Sequence, residues 1–346
     1  MKILSVVGAR PQFIKAAPVS RVLRRKHVEV LVHTGQHYDD SMSNVFFREL
    51  DIPEPDVNLG VGSGPHGAQT GGMMAGLEKV ALEVKPDWVL VYGDTNSTLA
   101  AALVAAKLHI PLAHVEAGLR SFDRRMPEEI NRVLADHVSD LLLCPTEVAV
   151  RNLAREAIER GVHLVGDVMY DAFLFNKEAA RKRGDAVKKL GIAHGQFALA
   201  TLHRAENTDD SERLRSILHG IDQSGLEVVL PLHPRTRARL EGPPPARIRV
   251  VDPVGYLDML ALEEAAAVIV TDSGGVQKEA YFLAKPCITL RDSTEWTETV
   301  EAGWNTLVGW DSARIAEAMR SFRPTGKRPV LFGDGHAAEK ISELLN

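Results

Sequence analysis

One local pattern recurs along this chain and constrains its fold more than any other feature. A short apolar run stops abruptly at a polar or glycine-containing cluster, and a helical stretch follows. Residues 2–7 stop at Gly8-Ala9-Arg10-Pro11, residues 28–33 at Thr34-Gly35-Gln36-His37, and residues 88–92 at Gly93-Asp94-Thr95-Asn96. Residues 111–115 stop at Glu116-Ala117-Gly118, and runs at 141–144 and 163–165 complete the set. Runs with almost no polar alternation predict strands covered on both faces, and strands alternating with helices predict a parallel sheet. The pattern then restarts. Runs at 197–201, 227–231, 249–251, 267–271 and 286–290 stop, among others, at His203-Arg204, His233-Pro234, Asp272-Ser273-Gly274-Gly275 and Arg291-Asp292. The expectation is an α/β chain of two Rossmann-like, doubly wound domains, 1–168 and 169–332.

Length and charge agree with this division. A chain of 346 residues is too long for one ordinary core. The formal net charge of −5 gives no electrostatic case for a nucleic-acid partner. Cys144 and Cys287 are isolated, which argues against a disulfide framework and fits a reducing cytoplasm. The first apolar run is too short for a signal peptide, and no stretch of apolar residues is long enough to span a membrane. His37, His114, His203 and His233 lack metal-ligand spacing, so no metal is expected.

The polar clusters fall at the carboxyl ends of the expected strands, where open α/β sheets bind ligands. Two such sheets facing each other make a cleft lined by Arg10, Asp94, Glu116, His203 and Ser273. The sharpest anion site is Asp272 to Glu279, where a strand ends, Gly274 and Gly275 permit close approach, and a helix begins. Free N–H groups and the helix dipole suit a diphosphate there, Ser273 adds a hydroxyl, and Glu279 suits ribose hydroxyls. The same residues also read as an ordinary Asp/Ser cap with a glycine turn. Gly8 to Pro11 with Lys15 is a second strand-to-helix turn, carrying positive charge but lacking the glycine fingerprint of dinucleotide binding. Asp94 and Glu116 are strand-end carboxylates suited to acid/base work. Glu128 and Glu129 follow Pro127, and acidic residues in a first helical turn also serve the dipole. His203 and His233 suit proton transfer or phosphate contact.

These loops, taken in order, resemble the non-hydrolysing UDP-N-acetylglucosamine 2-epimerase family. The matching stretches are GARPQFIKAAPV, TGQHYD, VYGDTNSTLA, HVEAGLRS, MPEEINR, HRAEN, PLHPRTR, TDSGGVQKEA and the TEW segment from Thr294, spread over nearly the whole chain. The resemblance implies a GT-B-like fold, UDP held mainly by the second domain, and a C-terminal helix, about 333–346, packed back on the first. It implies a homodimer, no cofactor, and inversion at C2 of a UDP-sugar by elimination of UDP to a 2-acetamidoglucal and re-addition. Asp94, Glu116 and Glu128 become acid/base candidates, and His203 assists the leaving group. Arg10, Lys15, Tyr256, Ser273, Gly274, Gly275, Glu279 and Arg291 become substrate or UDP contacts.

Three departures stand out. Trp296 replaces the Arg of the commoner TTERPE pattern, so a substrate-facing cation is lost or moved, with Arg291 a candidate. Ala205 replaces the second Arg of HRREN, and a Gly-rich stretch, Gly60 to Gly76, replaces an Arg-Gln-containing segment. The last two predict an absent or altered allosteric UDP-N-acetylglucosamine site. The Trp variant also resembles a branch acting on UDP-2,3-diacetamido-2,3-dideoxy-glucuronate. A hydrolysing 2-epimerase, a GT-B glycosyltransferase and a nucleotide-sugar-binding regulator are the competing classes.

Overall fold

Uninterrupted apolar runs become strands with both faces covered. A computed structural model describes residues 1–36, 54–183, 185–232, 234–240 and 242–345, with backbone alone at 10, 183, 185, 186, 234 and 235. His37, His233 and the Arg10 side chain therefore lie outside the described residues. The chain divides into one unit of Met1–Leu174 with Val330–Asn346 and a second of Phe175–Pro329.

The first unit holds β1 (Lys2–Val7), β2 (Val28–His33), β3 (Val57–Asn58), β4 (Trp88–Tyr92), β5 (Leu112–Val115), β6 (Leu141–Cys144) and β7 (Val162–Leu164). All the described pairings are parallel, in the order β3-β2-β1-β4-β5-β6-β7. The winding reverses between β1 and β4, so their carboxyl ends flank a topological switch point, the usual ligand position in open α/β sheets. The turns at that point are Gly8-Ala9 and Gly93-Asp94.

The second unit repeats the arrangement with β8 (Phe197–Thr201), β9 (Glu227–Pro231), β10 (Ile248–Val251), β11 (Val268–Thr271), β12 (Cys287–Thr289) and β13 (Asn305–Leu307). Its order is β10-β9-β8-β11-β12-β13, with the switch between β8 and β11. His203 follows one of those strands and Asp272-Ser273 the other. The two faces of β8 show why its sequence carries no polar alternation. Ala198 and Ala200 pack with Leu214, Ile217 and Ile221 of the helix Ser211–Gln223, whereas Phe197 and Leu199 pack with Val187, Leu262 and Ala280.

Two features depart from the sequence reading. The helix His66–Val84, which the sequence reading did not name, begins within the Gly-rich stretch. Met73, Leu77, Val80 and Ala81 join the core with Ala100, Ala101 and Ala105 of the Ala-rich helix Asn96–Lys107. β3 and β13 were not anticipated; they are two and three residues long, too short for any periodicity. The helix Ala337–Leu344 belongs to the first unit, and the Asp171 carboxylate accepts the Ala338 N–H at 2.8 Å. Burial raises the Asp171 carboxyl to about 6 against the opposing pull of the Ala338 and Ala337 N–H groups. No helix among the described residues is long and apolar enough to cross a membrane.

Candidate active site

At the switch point of the first unit two carboxylates are fixed by cations. Glu116 follows β5 directly and is held at φ 73°, a left-handed conformation that costs a non-glycine residue about 1–2 kcal/mol. Its carboxylate is ion-paired with Lys15 Nζ, and the two side chains are only 6% and 10% exposed. Lys15 comes from the helix Arg10–Leu23. Gly93 makes room for this pair. Its φ is 60°, and a Cβ there would stand 2.9 Å from Lys15 Nζ and 3.3 Å from Glu116 Oε2. The next residue, Asp94, receives Arg132 Nη2 at 2.6 Å and keeps a 26% exposed side chain. The β4 and β5 ends are locked together by His114, which bonds Gly93 O through Nε2 and Asp136 through Nδ1, each at 2.7 Å. Burial alone would raise Asp136, but His114 and Arg120 outweigh it and hold the carboxyl low.

Glu128 is exposed in the first turn of the helix Pro127–His137. The buried carboxylate of that turn is its neighbour. Glu129 accepts the N–H groups of Ser121 and Phe122 at 2.8 and 2.9 Å, and Arg132 Nη1 at 3.0 Å. Burial would raise its carboxyl; these donors and the Ser121 hydroxyl outweigh burial and keep it below the usual range. Arg132 thus joins Glu129 to Asp94, which makes it a positioning cation that the sequence did not single out.

At the switch point of the second unit, Asp272 is fully buried and gathers donors. It accepts the N–H of Arg204 at 3.0 Å and that of His203 at 3.1 Å, with Asn207 Nδ2 at 3.2 Å. His203 Nδ1 lies 3.2 Å from it, and the imidazole is 42% exposed. Burial opposes ionisation of Asp272, but these partners keep its carboxyl low. A carboxylate on Nδ1 fixes the orientation of the ring.

Ser273 caps the helix Gly274–Phe282, its hydroxyl reaching the Val276 N–H at 3.5 Å. Residues 273–276 are half-buried. Gly274 and Gly275 are the first helical residues, so their N–H groups have no intrahelical acceptor. A Cβ at Gly274 would touch Trp296 Nε1 at 3.4 Å and Glu295 Oε2 at 3.9 Å, ordinary van der Waals contacts, so the backbone there is covered by no more than these two side chains. Glu279 and Tyr256 are 4% exposed. Arg291, the candidate for a displaced cation, is 4% exposed and bidentate to Glu295 at 2.9 and 3.2 Å. A different cation lies beside the indole, with Lys278 Nζ 4.2 Å from the centre of the Trp296 ring. The TEW segment is held by Thr294 Oγ1 donating to Gln277 Oε1 at 2.7 Å. Among the described residues no cluster of His, Cys, Asp and Glu has the grouping of a metal site.

Each unit therefore carries its polar residues at the switch point of a Rossmann-like sheet, the GT-B-like class of nucleotide-sugar protein. The family model described as UDP-N-acetylglucosamine 2-epimerase matches residues 21–346. The UDP-2,3-diacetamido-2,3-dideoxy-D-glucuronate 2-epimerase of Pseudomonas aeruginosa is 51% identical, over 100% of this chain and 99% of the relative. The UDP-N-acetylglucosamine 2-epimerase of Methanocaldococcus jannaschii is 47% identical, again over 100% and 99%. A crystal structure of the M. jannaschii enzyme with UDP-GlcNAc and UDP superposes with a TM-score of 0.91 at 46% identity, covering 100% of this chain and 99% of that one. The chain belongs to the UDP-N-acetylglucosamine 2-epimerase family and is an isomerase.

Proposed function

We propose that this protein interconverts UDP-N-acetylglucosamine and UDP-N-acetylmannosamine. The C2–H and C1–O bonds break in an anti elimination; a carboxylate takes the proton, and UDP leaves with the bonding electrons. UDP then re-adds to the 2-acetamidoglucal while a proton reaches C2 from the other face. The observation that carries this reading is the pair of strand-end carboxylates at one switch point, Asp94 on Arg132 and Glu116 on Lys15. A protein that only bound a UDP dianion would gain nothing from placing carboxylates there.

In this reading Asp94, Glu116 and Glu128 share the proton transfers, with Arg10 and Lys15 toward the phosphate and sugar. His203 steadies the departing diphosphate. Ser273, Gly274 and Gly275 hold it through the ensuing step, as preorganised donors do for developing charge, and Glu279 takes the ribose. Tyr256 and Arg291 support the nucleotide and sugar ends. Free, buried Cys144 and Cys287 support a reducing, cytoplasmic location.

A second reading is favoured by the 51% identity to the Pseudomonas aeruginosa enzyme, which is named for UDP-2,3-diacetamido-2,3-dideoxy-D-glucuronate. The bidentate Arg291–Glu295 pair supports the neutral sugar instead, because that guanidinium is already neutralised. Initial rates with each UDP-sugar decide. The expected result is a higher kcat/KM for UDP-N-acetylglucosamine, and turnover of the glucuronate alone would overturn the choice.

A further inference from the structure

The helix Tyr256–Ala265 carries a charge-bearing residue that no step of the reaction uses. Glu263 is 0% exposed, and neither of its carboxyl oxygens has a donor among the described residues. An ionised carboxylate left bare in such a place is very costly, so the group stays a neutral acid. Its polar neighbour is Glu279 of the helix Gly274–Phe282, itself 4% exposed and within hydrogen-bonding reach. Two carboxyl groups at that range cannot both ionise, and one proton is shared. Burial first, and then Glu279, push the Glu263 carboxyl well above its ordinary range. Glu263 is the more deeply buried of the two and its oxygens have no donor among the described residues, so the proton belongs on its side of the pair. The other titratable groups beside the pair are Tyr256, driven up by burial and by both glutamates, and Cys287, driven up mainly by burial. None of these supplies a positive charge.

We propose that Glu263 is a positioning residue that donates its carboxyl proton to Glu279, orienting the Glu279 carboxylate to accept two vicinal ribose hydroxyls. In this arrangement the acid proton engages one Glu279 oxygen and so fixes the plane of the carboxylate that meets the ribose. The inference rests on the reading that Glu279 holds the ribose. It says that selectivity for a ribonucleotide diphosphate depends on a residue with no contact to it.

The test is calorimetric titration of the full chain with UDP and with 2′,3′-dideoxy-UDP. Wild-type protein should prefer UDP. Glu263→Leu should weaken UDP binding about tenfold and dideoxy-UDP binding less than about twofold, the loss of one charge-assisted hydrogen-bond set. Glu263→Gln restores an N–H donor in the same shape and should keep the preference to within about threefold. An unchanged UDP to dideoxy-UDP ratio in both variants, equal loss for both ligands, or a Gln variant without preference would overturn the positioning role while leaving Glu279 as the ribose ligand. If wild-type protein shows no preference, the ribose reading itself fails, and the inference falls with it.

Discussion

Two strand-to-helix turns, Gly8-Ala9-Arg10-Pro11 and Asp272-Ser273-Gly274-Gly275, look alike as sequence and treat their backbone N–H groups differently. In the first, the Gln12 side chain folds back, and its Oε1 accepts the N–H groups of Gly8 and Ala9 at 2.8 and 3.1 Å. Its Nε2 donates to Tyr92 O at 2.7 Å, stitching the turn to the end of β4. Those amides are spent on the fold. In the second, Ser273 caps one amide weakly, at 3.5 Å, and the N–H groups of Gly274 and Gly275 take no acceptor among the described residues. The difference teaches a division of labour. The first unit uses its switch point to fix carboxylates on Lys15 and Arg132, and the second keeps free donors where an anion can sit.

The contrast can be broken or sharpened by substitution. The largest effect is expected for Asp94→Asn, which keeps the hydrogen bond to Arg132 but removes the proton-accepting charge. Solvent exchange at C2 should fall by about a thousandfold or more, with UDP affinity unchanged by calorimetry. Loss of UDP binding would move Asp94 to the diphosphate side. Gly274→Val should next weaken UDP binding by about a hundredfold by filling the approach to the free amides. A melting temperature near wild type would assign that loss to the site, since a Cβ at Gly274 meets only ordinary van der Waals contacts. His203→Ala should lower kcat at least about tenfold, as expected for a group assisting departure; normal turnover would remove that role. The smallest effect is Gln12→Ala. It should cost about 1–3 kcal/mol of unfolding free energy by leaving buried groups unpaired, and change UDP affinity less than about twofold. A large loss of UDP affinity there would erase the distinction between the two turns.

Strand ends were legible in the sequence because a strand buried on both faces stays apolar until it leaves the sheet. Residues 88–92 and 197–201 show this, and both became strands. The strand-end positions of Asp94, Glu116 and His203 were legible for the same reason, being the first polar residues beyond a strand, and Ser273 follows Asp272 in the same way. The helix His66–Val84 was not legible. Gly67, Gly71, Gly72 and Gly76 each cost about 1 kcal/mol in a helix, and packing of Met73 and Leu77 against the Ala-rich helix overrides that local preference. Burial of Glu129 in place of Glu128 depends on where the Ser121–Phe122 backbone passes, a non-local fact. Lys278 is hidden likewise. A lysine in a helix reads as solvated until Trp296, eighteen residues on, is laid beside it. The internal capping by Gln12 was invisible because either turn can recruit a side chain to its amides, and only the fold decides which does.

The central claim is elimination and re-addition at C2 with UDP retained, and proton NMR of UDP-N-acetylglucosamine incubated with the protein in D2O tests it most directly. The account predicts that one solvent deuteron enters at C2 of UDP-sugar while UDP-N-acetylmannosamine appears and no free sugar accumulates. Tight UDP binding with no deuterium at C2, or release of free N-acetylmannosamine, would contradict it.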